Sequence, residues 1–164
     1  MTKEQKRKKM KHYKPIGRML AMQFLFQFDL TDEDFEEGTL IRFFKKIDDD
    51  RICPEDIREN RKGRKYADKI IRGIIEHLPY TDNIIQKYLS ADWSWQRIAS
   101  IDKAILRVAT YEMLFEEKVP PIVVINEGVE LAKKFGSDES KAFINALLNS
   151  IKNAIEEIRK QIEK

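Results

Sequence analysis

VVINEGVELAKKFG, residues 123–136, sets an adjacent Asn126 and Glu127 inside a run of apolar residues. On a helical wheel starting at Ile122 and turning about 100° per residue, Val124, Ile125, Gly128, Val129, Leu131, Ala132 and Phe135 fill one half. Asn126 falls at about 40° and Glu127 at about 140°, the two rims of the polar half. The stretch therefore reads as one helix with a buried side and a wet side, and Glu127 is a border residue rather than a carboxylate in mid-core. From that border it can reach a neighbouring helix, and the expected pairing is a structural tether to Arg107 on the preceding helix. Glu130 and Lys134, one turn apart, are expected to pair on the wet side. A carboxylate so placed suits a tether better than a catalyst.

The same periodicity extends in both directions. Pro120 and Pro121 suit a helix start, Gly136 is expected to end the helix as a left-handed cap, and Ser137 to cap the next one. Asp138 and Glu139 would then lie in that helix's first turn, where the dipole favours negative charge, and its apolar stripe runs from Ile144 to Ile158. Upstream, RIASIDKAILRVATYEMLF (97–115), YTDNIIQKYL (80–89), RKYADKIIRGIIEHL (64–78) and LIRFFKKI (40–47) each repeat at helical spacing, with Pro79 a breaker between two of them. A further helix is expected from about Pro15 to Leu30. Residues 48–64 form the one long polar stretch, a loop with a helical piece. Strand-type alternation is almost absent. The expectation is an all-α fold of about seven helices in a single domain over 15–164, preceded by a flexible basic arm at 1–14.

Net charge is +3, but residues 1–18 hold eight Lys/Arg against Glu4 alone. That end carries +7 and the rest −4, a basic arm on a mildly acidic body, as polyanion binders have. A solubilising tail would look the same. Cys53 is the only cysteine, which excludes an intrachain disulfide and a CxxC metal site and suits a reducing cytoplasm. No apolar run approaches the roughly 20 residues a membrane span needs, and no signal-peptide core stands at the N-terminus. The two histidines, His12 and His77, belong to no metal-binding pattern, and glycine-rich phosphate loops and a GxSxG elbow are both missing. Neither a catalytic residue nor a metal or other cofactor is expected.

GRMLAMQFLFQFDL, residues 17–30, is apolar nearly all round. Leu20, Ala21, Phe24, Leu25 and Phe28 make a core face, while Arg18, Met22 and Phe26 recur at i, i+4, i+8 on a second surface. Cations interleaved with rings suit single-stranded RNA, whose bases stack while its phosphates are neutralised. A helix sandwiched between two others, with Met22 and Phe26 in a second core, fits the same pattern.

GRMLAMQFLFQFDL, ASIDKAILRVATYEMLF and VPPIVVINEGVELAKKFGSDESKAFINALLNSI together, in order and spacing, resemble the NusB family of bacterial transcription antitermination factors, from about Ile16 to Ile151. The resemblance implies two packed helical subdomains and a role without catalysis. That role is to bind the boxA element of nascent ribosomal RNA together with the small-subunit ribosomal protein NusE. Other Nus factors and RNA polymerase are implied as indirect partners, with a homodimer left open for the free protein. By position, Arg18 matches a family arginine implied to contact phosphate, and Phe26 stands where the family often has tyrosine. Asp102, Glu139, Phe135 and Phe143 match acidic and aromatic positions of the implied RNA and partner surface. Lys11 and Lys14 stand in the basic stretch that the family makes arginine-rich. Lysine neutralises phosphate but lacks the planar fork of arginine, so the arm should add affinity and little sequence choice.

Two other readings compete. NusB-like domains also precede some rRNA cytosine methyltransferases, but that reading needs a cofactor-binding α/β domain downstream, not expected in a sequence ending in a charged helix at Lys164. A helical module that binds only protein would share every apolar stripe described.

Overall fold

Phe24 is the natural place to begin, because four rings meet there. Phe43 and Phe35 stand edge-on to it at centroid distances of 5.4 and 6.1 Å, and Phe28 stacks at 6.1 Å. These rings come from α1 (Tyr13–Leu30), α2 (Glu37–Asp49) and the link between them. A computed structural model describes residues 1–5, 12–31 and 33–164, and among them every regular element is helical. The chain divides into two compact units, 1–75 and 76–164.

In the first unit α3 (Glu55–Arg58) is the helical piece expected in the polar stretch, and α4 (Arg61–Glu76) follows it. Asn60 caps α4, its Oδ1 accepting the Gly63 amide at 2.8 Å. Leu20, Leu25, Leu40, Ile70, Ile71 and Ile74 are all but fully buried and fill the core. Helices α1 and α4 touch where each carries a glycine. A Cβ on Gly17 would stand 2.7 Å from Tyr66 Cδ1 and 2.9 Å from the Gly63 carbonyl, and one on Gly63 2.9 Å from Ile16 Cγ2. The α1 helix begins at Tyr13, so Lys14 belongs to the helix and not to the arm.

The second unit is built around α6 (Ser100–Phe115), buried on every side from Ala104 to Leu114. Around it lie α5 (Leu78–Lys87), α7 (Pro121–Phe135), α8 (Ser140–Asn153) and α9 (Ile155–Ile162), with a single 3-10 turn at Trp95–Arg97. Pro79 sits in the first turn of α5 rather than in a gap, where its missing N–H costs nothing. On α7 the wheel is obeyed up to its last residue: Val124, Ile125, Leu131 and Ala132 are buried and Ile122, Val123 and Asn126 exposed, but Phe135, on the apolar half, is exposed too. Glu130 pairs with Lys133 at 3.0 Å rather than with Lys134. The last apolar stripe breaks at Ala154 into α8 and α9. That break lets Arg159 reach α6, where its Nε and Nη2 donate to the Met113 carbonyl at 3.2 and 2.7 Å. Met113 lies in the final turn of α6, whose carbonyls have no partner within the helix.

Candidate nucleic-acid and partner interface

The α7–α8 connection gathers four of the expected contacts: Asp102, Phe135, Glu139 and Phe143. Gly136 follows α7 with φ −88° and ψ −177°, extended rather than left-handed, so it is not the αL cap its position suggests. Glycine is required there for space. A Cβ would meet Ser140 Oγ at 2.6 Å and the Ala132 carbonyl at 2.8 Å. The Ser140 hydroxyl, almost wholly buried, accepts the Ser137 amide at 3.0 Å and lies 3.1 Å from the Ser137 hydroxyl. It also hydrogen-bonds the carboxylate of Asp102, in the first turn of α6. Either hydroxyl of the Ser137–Ser140 pair can be the donor to the other. Ser137 therefore braces the turn instead of capping α8, which starts at Ser140 with no acidic residue in its first turn.

Asp102 itself is buried, and among the described residues its Oδ1 has no hydrogen-bond partner. Burial raises the Asp102 carboxyl above the ordinary carboxylate range, and the Ser140 hydrogen bond opposes that rise. Asp102 thus anchors the turn at 136–140 from beneath, while Phe135 and Glu139 at its two ends are exposed.

Beside Glu139 opens a groove of about 380 Å³ lined by Tyr88, Trp93, Glu139, Phe143 and Leu147, among others. Phe143, half-buried, lies tilted against Trp93 at 4.8 Å, and Trp93 is 48% exposed. Phe135 is 40% exposed. Trp93 is a residue that periodicity could not single out, because it stands in the short irregular segment between α5 and the 3-10 turn. Its neighbour Trp95 has a different job. Lys103 and Arg107 stand over its ring at 4.8 and 5.5 Å, and Arg107 donates through Nε and Nη2 to both oxygens of Asp82 at 2.9 Å. The ion pair recorded for the expected tether arginine thus runs to Asp82 on α5. Glu127 is half-buried at the border of α7, where the wheel puts it, and holds a polar interaction of its own.

The other expected contacts belong to the first unit. Arg18 is buried at 4% exposure, with a polar partner, and Met22 is buried beside it on the helix. The second surface of α1 is therefore packed at Arg18 and Met22, and of the stripe only Phe26 stays half-open. This corrects the exposed-stripe reading: a helix apolar nearly all round is covered on both sides, and a buried guanidinium does not meet a phosphate directly. Lys14 holds its ammonium 5.6 Å from the Tyr66 ring, and Lys11 lies outside the described residues.

Among the described residues no three His, Cys, Asp or Glu side chains group to hold a metal, and no helix is long and apolar enough to cross a membrane. Burial pushes the Cys53 thiol up, away from the reactive thiolate, and His77 stacks on Phe115 at 4.4 Å.

The family model that matches the chain is that of the NusB family, over residues 16–153. The transcription antitermination protein NusB of Bacillus subtilis (strain 168) is 36% identical over 141 residues, covering 86% of this chain and 95% of its own. Among solved structures, T. maritima NusB superposes with a TM-score of 0.67 at 31% identity, over 90% of this chain and 91% of its own. A structure of antitermination factors NusB and NusE in complex with dsRNA does so with a TM-score of 0.67 at 26% identity, over 87% and 97%.

Proposed function

The chain belongs to the NusB family, and we propose that it acts in transcription antitermination, binding boxA-type RNA of ribosomal RNA operon transcripts together with the ribosomal protein NusE. The role is one of binding and assembly in the cytoplasm, with no reaction catalysed and with other Nus factors and RNA polymerase engaged through the complex.

The observation that carries the reading is the braced turn at 136–140, with its exposed rings and carboxylate. Phe135, Phe143 and Trp93 offer faces on which unpaired bases stack, each worth about 1–3 kcal/mol per base. Glu139, on the groove rim, accepts hydrogen bonds from base amino groups and repels phosphate, so it favours base edges over backbone. Asp102 acts through Ser140 by holding the turn. Lys11, Lys14 and the rest of the basic arm supply phosphate neutralisation, and Phe26 a further ring on α1. Arg18, being buried, acts by positioning α1.

Labelled boxA-type RNA, titrated with the protein alone and with NusE present, tests the proposal. Binding that tightens when NusE is added is expected. Binding of NusE with no affinity for the RNA in either arm would leave a protein-only module and overturn the RNA half of the reading.

A further inference from the structure

Residues 58–65, RENRKGRK, put five cations and one carboxylate into eight positions at the start of α4. The first turn of α4 carries no acidic residue, although a helix N-terminus disfavours positive charge. Folding uses two of the five, Arg58 and Arg64, and not the other three. Arg64 forks onto Asp48, and Arg72 onto Glu37 while also holding Asp68. Arg61, Lys62 and Lys65 are exposed, and among the described residues none of the three is in an ion pair.

What stands next to them is the end of α1. The close approach of Gly17 to Gly63 and Tyr66 lays the first turns of α1 on the first turns of α4. Tyr13 meets Tyr66 edge-on at 5.9 Å, and Lys14 reaches the same ring. Lys14, in the first turn of α1, is so brought to the start of α4, and in sequence the basic run KRKKMK at 6–11 precedes that helix.

We propose that Arg61, Lys62 and Lys65 form, with Lys14, a second phosphate-contact patch that continues the basic arm onto α4 and holds the strand of RNA flanking the boxA-type element. The inference rests on the RNA-binding reading above and adds a surface to it. Charge complementarity and continuity with the arm identify the occupant as RNA backbone. The contacts are to phosphate, so the patch adds affinity without sequence preference.

The test is the salt dependence of binding for the full chain, using single-stranded RNA that extends beyond the boxA-type element on both sides. At about 0.7 per phosphate contact, the triple variant R61Q/K62Q/K65Q should show a log–log slope shallower by about two. R61K/K62R/K65R, which keeps every charge, should retain the wild-type slope. All three side chains are exposed, so far-UV circular dichroism and the unfolding midpoint should match wild type. If wild type binds the RNA and the glutamine variant keeps its slope, the patch is refuted while RNA binding stands. If wild type does not bind the RNA, the RNA-binding reading fails first and takes the patch with it.

Discussion

Gly17→Ala and Gly128→Ala are the same substitution in two helix interiors, and they should change stability in opposite directions. Alanine is favoured over glycine in a helix by about 0.8–1.0 kcal/mol, which both variants gain. At Gly128 the nearest atom to a new Cβ is Leu148 Cδ1 at 3.2 Å, and Ala109 and Ile105 follow at 3.8 Å. A rotatable methyl can give by a few tenths of an ångström, so Gly128→Ala should be neutral or stabilising by up to about 1 kcal/mol. At Gly17 the new Cβ meets Tyr66 Cδ1 at 2.7 Å and the Gly63 carbonyl at 2.9 Å. The ring is held edge-on by Tyr13, and the carbonyl is backbone within α4. Carbon atoms rest at about 3.5–4.0 Å, so α1 and α4 must separate by roughly 1 Å. Overpacking of this kind costs about 1–3 kcal/mol against that gain, leaving Gly17→Ala destabilised by up to about 2 kcal/mol. Equilibrium urea unfolding followed by circular dichroism reads both variants against wild type. A Gly17→Ala protein at least as stable as wild type would mean that the two helices do not cross as closely as the two glycines permit.

Asp82→Ala removes both acceptors of a buried, forked ion pair, and should cost about 3 kcal/mol, the low end for such a loss because Arg107 keeps its stacking on Trp95. A loss under about 1 kcal/mol in urea unfolding would mean that the pair behaves as a solvated one. Asp102→Asn tests the pH behaviour of the buried carboxyl. Its folded pKa is raised above the ordinary 3.8, so its contribution is greatest when it is protonated and falls as pH rises through the folded pKa. The variant should therefore be more stable than wild type at neutral pH, and the difference should close as pH falls towards 3.8; a gap independent of pH would count against a raised pKa. Trp93→Ala should weaken binding of boxA-type RNA by about 1–3 kcal/mol, Trp93→Phe by much less, and neither should move the unfolding midpoint by more than a surface change does. Unaltered RNA affinity in Trp93→Ala would remove that ring from the binding surface.

Most helices longer than one turn could be read from apolar periodicity, but the last stripe read as one helix where the structure has α8 and α9, parted at Ala154. The border position of Glu127 and the exposure of Asn126 follow from the wheel alone. What could not be read depends on neighbours distant in sequence. Arg18 sits on a helix apolar on nearly all sides, and no local pattern tells which of two apolar faces is covered. Arg107 forks onto Asp82, 25 positions away on another helix, which no local pattern indicates. Gly136 occupies the place of a left-handed cap, yet its requirement is room for Ser140, a contact visible only once the turn is folded. Trp93 and Trp95 are two residues apart, one in the irregular segment after α5 and the other opening the 3-10 turn. Only the position of Arg107 and Lys103 decides that Trp95 packs inside a cation pair while Trp93 is left open.

These differences share a physical cause that bears on how the surface works. The groups that shape the turn at 136–140 are buried or spatially confined: Asp102, the Ser140 hydroxyl and the vacant Cβ position of Gly136. The groups proposed to meet a partner, Phe135, Glu139 and Trp93, are open to solvent. On the proposed reading, binding chemistry is carried by exposed residues, which can change without unfolding the unit, and geometry by buried ones, which cannot. A carboxylate in the second class carries a desolvation cost, which the raised Asp102 carboxyl records. That cost is consistent with a turn held in one conformation before any partner arrives, so that less ordering remains to be done when RNA stacks on its rings.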